Sequence, residues 1–459
     1  MTSKPFILAM LLAGSLNIAY PQSTSSTSNP SNTSQDLEKI LSQPTGKTDW
    51  NDPVSEVAEG CIYLSYPTPS RGEDTTGSSM VYLPPSYNST TDHYPVIYYL
   101  HGGTGNQREG RWLTQRVDAA IKAGKMNPVI IVCPQALPIG WYINANTNDP
   151  KVTSGPIEDV IIRDLIPYMD ANFRTIPTRE GRGIEGFSMG GRGTLMLAFK
   201  HPDLFGAASS VAGALVNWDE EPLKRALECT FGDIDNPYSK IYFDAWHPQV
   251  FACQNASHII SDGMKIRMFV GDQDRLYNEN GNHITERFHN LLDTLSIPHT
   301  FTIVPGANHN PLEIFDDAVN KYDTSFWDDA FSKGVAQQKS ADNTPDEIKA
   351  FISTNFPTSQ IKNTVIDQEA NGDHYTVSLD NNVSIKFNEH FKWIKVDASN
   401  IKGNIPATMI LPEIQTYISA NNPDKKIIRI EKVPRTGYDI LLSDGTSLLF
   451  DTTGAPISR

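Results

Sequence analysis

Ser188 lies in GIEGFSMGGRG, residues 183–193. A serine hydroxyl is a poor nucleophile at neutral pH. It needs a base to take its proton, a group to orient that base, and donors for the oxyanion that forms on attack. The pattern G-x-S-x-G meets part of that need when a strand leads in and a helix leads out, because the sharp turn between them exposes the hydroxyl. Here GIEGF reads as the strand, and GRGTLMLAFKHPD reads as a helix ended by Pro202. Ser188 therefore reads as a nucleophile, and the amide of Met189 as one oxyanion donor.

Its partners should follow in the order acid, then histidine, each on a loop after a strand. IRMFVGDQDRLY ends a strand at Gly271 and offers two acids, Asp272 and Asp274; the local sequence leaves both open. FTIVPGANHNP offers His309 in a glycine-containing loop, and His309 reads as the base. His283, His289 and His299 are weaker candidates, because two lie on or beside a helix and the third enters a strand. Upstream, PVIYYLHGG ends a strand at His101-Gly102, where this chemistry needs a second donor. The Gly103 amide fills that role.

These residues need a scaffold. The segments 95–102, 128–134, 183–187 and 266–271 are near-continuous apolar runs, as expected of strands buried on both faces of a mostly parallel sheet. Helical patterns alternate with them. One starts at Pro156, with Ile157, Val160, Ile161, Leu165 and Met169 on one face, and Pro167 should kink it. Another carries Ile284, Phe288, Leu291 and Leu295 and ends before Pro298. The alternation predicts a doubly wound, mostly parallel sheet over residues 46–335, and the serine on a strand-to-helix turn makes the expected fold an α/β-hydrolase. The remainder repeats itself. PDEIKAFISTNFP, YTVSL and SIKFN in residues 340–398 return as PEIQTYISANNP, YDILLSDG and SLLFD in residues 399–459. Pro345 matches Pro412, Phe351 matches Tyr417, Tyr375 matches Tyr438 and Phe387 matches Phe450. Each copy reads as a helix followed by antiparallel strands, giving a small α+β domain of two repeats packed together.

Residues 1–22 read as a secretory signal peptide: Lys4, then a short apolar run from Phe6 to Ala19. Residues 23–45 are a polar, low-complexity linker. The expected location is therefore secreted or periplasmic. A formal net charge of −15 argues against nucleic acid or an anionic membrane as partner. Of the four cysteines, Cys133 sits in an apolar strand and reads as a buried thiol, while Cys229 and Cys253 flank a polar insert and suggest a disulfide. No cysteine–histidine spacing suggests a metal, and the chemistry calls for no cofactor.

VYLPPSYNSTTDHYPVIYYLHGG, GIEGFSMGGRGTLMLAFKHPDLFGA, GDQDRLYNEN and VPGANHNP resemble the esterase D-like family, over about residues 55–320. That family includes feruloyl and acetyl-xylan esterases, S-formylglutathione hydrolases and mycolyltransferases. The resemblance implies a serine carboxylesterase with Ser188 as nucleophile and His309 as base. It places the acid on Asp274, because the family's pattern there is a glycine, two residues and then the aspartate, which falls on Gly271 and Asp274. With the secretory signal it also implies an acylated plant carbohydrate as substrate, and an S-formylglutathione hydrolase-like esterase or acyl transfer to a sugar would use the same residues. The rival reading from another class is a non-catalytic binding protein in which the hydrolase domain is a scaffold for the repeats. Trp141 and Tyr142, in IGWYINANTND, fall where such esterases line the acyl site, and with His101 they are the expected substrate contacts. The C-terminal repeats resemble PepSY-like, β-lactamase-inhibitor-like domains, which implies contact with a protein or glycan.

Overall fold

The structure is a computed structural model that describes residues 50–457 apart from 53–56, 58, 221–223, 277–282, 370–371, 402–404 and 435. The expected signal peptide and linker lie outside the described residues.

The first sheet has eight strands: β1 (Cys61–Pro67), β2 (Thr76–Tyr82), β3 (Val96–Leu100), β4 (Ile130–Pro134), β5 (Arg182–Phe187), β6 (Ala207–Val211), β7 (Lys265–Gly271) and β8 (Thr300–Val304). Their spatial order is β1-β2-β4-β3-β5-β6-β7-β8. The pairs β1–β2 and β2–β4 are antiparallel, and every later pair is parallel. Successive side chains of a strand point to opposite faces. Accordingly, Val96, Tyr98 and Leu100 of β3 enter one apolar cluster, while Ile97 and Tyr99 enter another on the other side. The central strands β3, β4 and β6 are thus buried on both faces, whereas the edge strands β1 and β8 are partly exposed.

The helix Met189–Lys200 runs from the end of β5, and its residues from Met189 to Phe199 are all buried. The predicted kink near Pro167 takes a specific form. A π segment, Val160–Leu165, separates the turn Ile157–Asp159 from the helix Ile166–Asn172. Proline lacks an amide proton and crowds the carbonyl four residues back, and a widened turn accommodates both. Cys133 is a buried free thiol. The expected Cys229–Cys253 disulfide is absent: Cys229 donates its thiol proton to the Ile139 carbonyl at 3.2 Å, and Cys253 stands exposed and free.

The second sheet is an eight-stranded antiparallel meander with neighbours in chain order: β9 (Ile361–Glu369), β10 (Gly372–Leu379), β11 (Ser384–Phe387), β12 (Trp393–Asp397), β13 (Ile427–Val433), β14 (Gly437–Leu442), β15 (Ser447–Phe450) and β16 (Pro456–Ile457). The repeats are visible in it. Helix Asp346–Asn355 precedes β9–β12, and helix Pro412–Asn421 precedes β13–β16. Phe351 meets Phe387 edge-on with centroids 5.3 Å apart, and in the second copy Tyr417 meets Phe450 in the same way at 5.3 Å. Pairing of β12 with β13 joins the two copies, and Ile348, Ile352, Ile414 and Ile418 of the two helices share one core with the inward side chains of the sheet.

No break separates the two domains. The helix Ser325–Asp342 buries Trp327 and Phe331 against the first sheet, and its last turn carries Ser340, whose hydroxyl accepts the Thr364 amide of β9 at 3.2 Å. Gly334 lets this helix approach the chain before β5: a Cβ there would lie 2.5 Å from the Glu180 carbonyl oxygen. Among the described residues, no helix is long and apolar enough to cross a membrane.

Candidate active site

The C-terminal ends of β3, β5, β7 and β8 converge, and their following loops carry the site. Ser188 sits between β5 and the helix Met189–Lys200 with φ 55° and ψ −114°, a conformation that L-residues rarely adopt. Backbone bonds hold it there. Its amide donates to the Val211 carbonyl at 2.9 Å, and its carbonyl accepts the amides of Ala214 at 2.9 Å and Arg192 at 3.0 Å. Gly190 is obligatory in this turn, because a Cβ would lie 2.0 Å from the Leu100 carbonyl oxygen.

His309, on the loop after β8, brings Nε2 to 2.8 Å from Ser188 Oγ. Its Nδ1 lies 2.7 Å from Asp274 Oδ2, on the loop after β7. An ionised carboxylate only accepts, so Nδ1 carries the proton and the Nε2 lone pair faces the serine hydroxyl. Asp274 is fully buried, and its other oxygen accepts the Leu276 amide at 2.9 Å. Asp272, its rival in the sequence, turns elsewhere. Its Oδ1 accepts the Gly306 amide at 2.7 Å, tying the loop after β7 to the loop that carries His309.

Met189 opens its helix, so no carbonyl within that helix can take its amide proton. Gly103 is exposed on the loop after β3. That loop rests on Glu109, which the sequence reading did not single out. Glu109 Oε1 accepts the Gly102 amide at 2.8 Å and the Tyr99 hydroxyl at 3.0 Å. Burial pushes the Glu109 carboxyl above the usual range, against the opposing pull of Gly102, Tyr99 and the nearby His309. Nothing in the spacing of GTGNQREG marks it out; a lone acid among loop residues is an ordinary surface pattern.

The expected substrate contacts need correction. Trp141 is 2% exposed, Tyr142 is not exposed at all and His101 is 1% exposed, so none presents a face to a ligand. The Trp141 indole donates to the Ala226 carbonyl at 3.0 Å, and the Tyr142 hydroxyl donates to the His101 carbonyl at 2.8 Å. Both aromatics have positive φ, 52° and 60°, strain that these bonds and the surrounding core sustain. His101 is held neutral. Nδ1 lies 2.9 Å from the Gly102 carbonyl, Nε2 accepts the Ala136 amide at 3.3 Å, and burial pushes its pKa down to about 4. These residues brace the loop after β3 from behind.

The strand order and a serine on a strand-to-helix elbow define an α/β-hydrolase. Residues 74–337 match the family model described as putative esterase, and the chain belongs to that family. Residues 332–395 and 373–457 match the model described as putative beta-lactamase-inhibitor-like, PepSY-like. An esterase from Mycobacterium tuberculosis is 39% identical over 135 residues, 29% of this chain and 28% of that protein. An endo-1,4-beta-xylanase/feruloyl esterase from Xylanibacter ruminicola is 32% identical over 175 residues, 34% of this chain and 23% of that protein. The chain therefore spans about a quarter of the length of each of these two relatives. An S-formylglutathione hydrolase from Rattus norvegicus is 24% identical over 249 residues, 50% of this chain and 81% of that protein.

Proposed function

We propose that the protein is an exported serine carboxylesterase that hydrolyses feruloyl or acetyl esters of plant carbohydrates. One observation carries the catalytic part: Ser188 Oγ, His309 and Asp274 form an unbroken relay with bonds of 2.8 and 2.7 Å. Ser188 Oγ attacks the ester carbonyl while His309 Nε2 takes its proton. Asp274 holds the Nδ1–H tautomer and stabilises the imidazolium. The amides of Met189 and Gly103 receive the oxyanion, and the proton on Nε2 passes to the leaving alcohol. Water, activated by the same nitrogen, then releases the acid from the acyl-enzyme. The carbohydrate ester rests on the likeness to the xylanase/feruloyl esterase and on the sequence of residues 1–22.

A second reading, hydrolysis of an S-formyl thioester, draws on the likeness to the S-formylglutathione hydrolase, of which this chain covers 81%. The same relay serves it. A panel of methyl ferulate, acetylated xylo-oligosaccharide and S-formylglutathione discriminates the two by kcat/KM. Ser188→Ala should lower kcat on the preferred ester by about 10⁶-fold, the order found when such a serine is removed. Full turnover by that variant would sink the mechanism. A preference for S-formylglutathione would sink the carbohydrate assignment alone.

A further inference from the structure

Three side chains far from Ser188 form a second cluster of chemical interest. His289 and Asp293 lie one turn apart on the helix Ile284–Thr294, and His299 immediately precedes β8. The loop between the helix and the strand folds back so that one ligand atom from each residue lies within 4.8 Å of the others. His289 Nδ1 is 2.7 Å from His299 Nε2, and the Asp293 carboxylate approaches His289 Nε2 at 3.5 Å and His299 Nε2 at 3.9 Å. The sequence pattern H-x3-D-x5-H did not announce this convergence.

Two further contacts prepare the imidazoles. His299 Nδ1 lies 2.8 Å from the Ile297 carbonyl, which accepts and cannot donate. That bond fixes the proton on Nδ1 and leaves the Nε2 lone pair aimed into the cluster. It is the arrangement in which a backbone carbonyl orients a metal-binding histidine. The His289 ring stacks on Phe301 of β8, with centroids 4.7 Å apart and planes at 23°, which sets its orientation. His299 is nearly enclosed, with 2% of its side chain exposed, whereas the Asp293 carboxylate is 61% exposed. The cluster thus has one fixed ligand, one partly fixed ligand and one that can swing in from solvent.

We propose that His289, Asp293 and His299 bind a zinc ion, with water completing the coordination. Two imidazoles and a carboxylate suit zinc, and the nitrogen donors disfavour the oxygen-seeking calcium and magnesium. Nitrogens sharing a tetrahedral zinc lie roughly 3.3 Å apart, so the site forms with small movements of His289 and Asp293. The site stands at the start of β8, whereas His309 follows the end of that strand. The ion therefore clips the helix Ile284–Thr294 to β8 and does not enter the ester chemistry.

The test uses the purified protein without an affinity tag, stripped with a chelator and titrated with Zn²⁺ alone. One equivalent should bind by calorimetry, and Tm should rise with Zn²⁺ concentration. His299→Gln should lose both effects. Asp293→Asn changes an exposed side chain and leaves the core untouched; it should weaken binding at least about tenfold, no less than loss of an outer-shell partner does. Absence of binding by the parent protein overturns the proposal. So does an affinity that Asp293→Asn and His289→Gln leave unchanged, because the ion would then be held elsewhere.

Discussion

His101 is a histidine that the fold keeps uncharged, and its protonation couples the site's supporting loop to pH. Unfolded, it takes a proton near its ordinary pKa of 6.5; folded, burial holds it neutral until about 4. The unfolded state thus binds more protons between those values, and stability falls as pH drops through that window. The contribution is whole above pH 6.5 and amounts to about 3 kcal/mol lost by pH 4, from a shift of that size at 1.36 kcal/mol per pKa unit. Urea unfolding at pH 7 and pH 4.5 measures it. His101→Gln should lower stability at pH 7, yet lose less of it on acidification than the parent protein. An equal loss in both would place the acid sensitivity elsewhere. The same burial explains why this residue was misread in the sequence, together with Trp141 and Tyr142. Residue type announces aromatic contact, but nothing in IGWYINANTND says whether the rings face a ligand or the core. Ser188 and His309 were legible for the opposite reason: the fold imposes an order and a loop position on them that the sequence displays directly.

At the scale of elements, the loops after β7 and β8 must hold a fixed separation for Asp274 and His309 to meet. Asp272 supplies a tie between them through the Gly306 amide, while Asp274, two residues on, faces inward to His309. One acid ties the two loops together and the other meets the histidine, a division that their shared sequence context could not reveal. Asp274→Asn should lower kcat by about 10⁴-fold, because an amide favours the wrong imidazole tautomer. Asp272→Asn retains an oxygen to accept the Gly306 amide, and kcat should stay within about threefold, less than 1 kcal/mol in barrier. Steady-state kinetics on p-nitrophenyl acetate reads both, and the reverse ranking would exchange their roles. Legibility of the elements follows the same logic. Strands β3 and β4 are apolar on both faces and stand out in the sequence, while β5 and β7 do so although they bury Glu185 and Arg267 as an ion pair at 3.1 Å. Strand β6, AASSV, is as buried as they are but made of small residues packed close to β5 and β7, so hydropathy does not mark it.

For the whole molecule, the decisive fact is which end of the first sheet the repeats occupy. Ser188, Asp274 and His309 follow the C-terminal ends of β5, β7 and β8. Apart from the shared helix Ser325–Asp342, whose Ser340 meets Thr364 of β9, the first domain's contacts to the repeats come from residues that precede β3 and β5. Lys362 of β9 lies 3.9 Å from Glu180, and a cleft of about 400 Å³ between the domains is lined by His93, Asp170 and Thr175 on one side and Lys349 and Gln360 on the other. The length of the sheet therefore separates the repeats from the relay. Ser340 and Asp342 still belong to the helix that both domains share, so a cut within residues 335–340 would sever that helix. Removing residues 345–459 instead leaves it whole. That fragment should hydrolyse p-nitrophenyl acetate with kcat/KM within about threefold of the full chain, while Tm falls because the helix loses its cover from β9. A fall in kcat/KM of tenfold or more, with the fragment folded by circular dichroism, would mean that the repeats act on the active site through the sheet. Unchanged turnover of small esters, together with weaker activity on polymeric substrate, would assign the repeats to holding the carbohydrate.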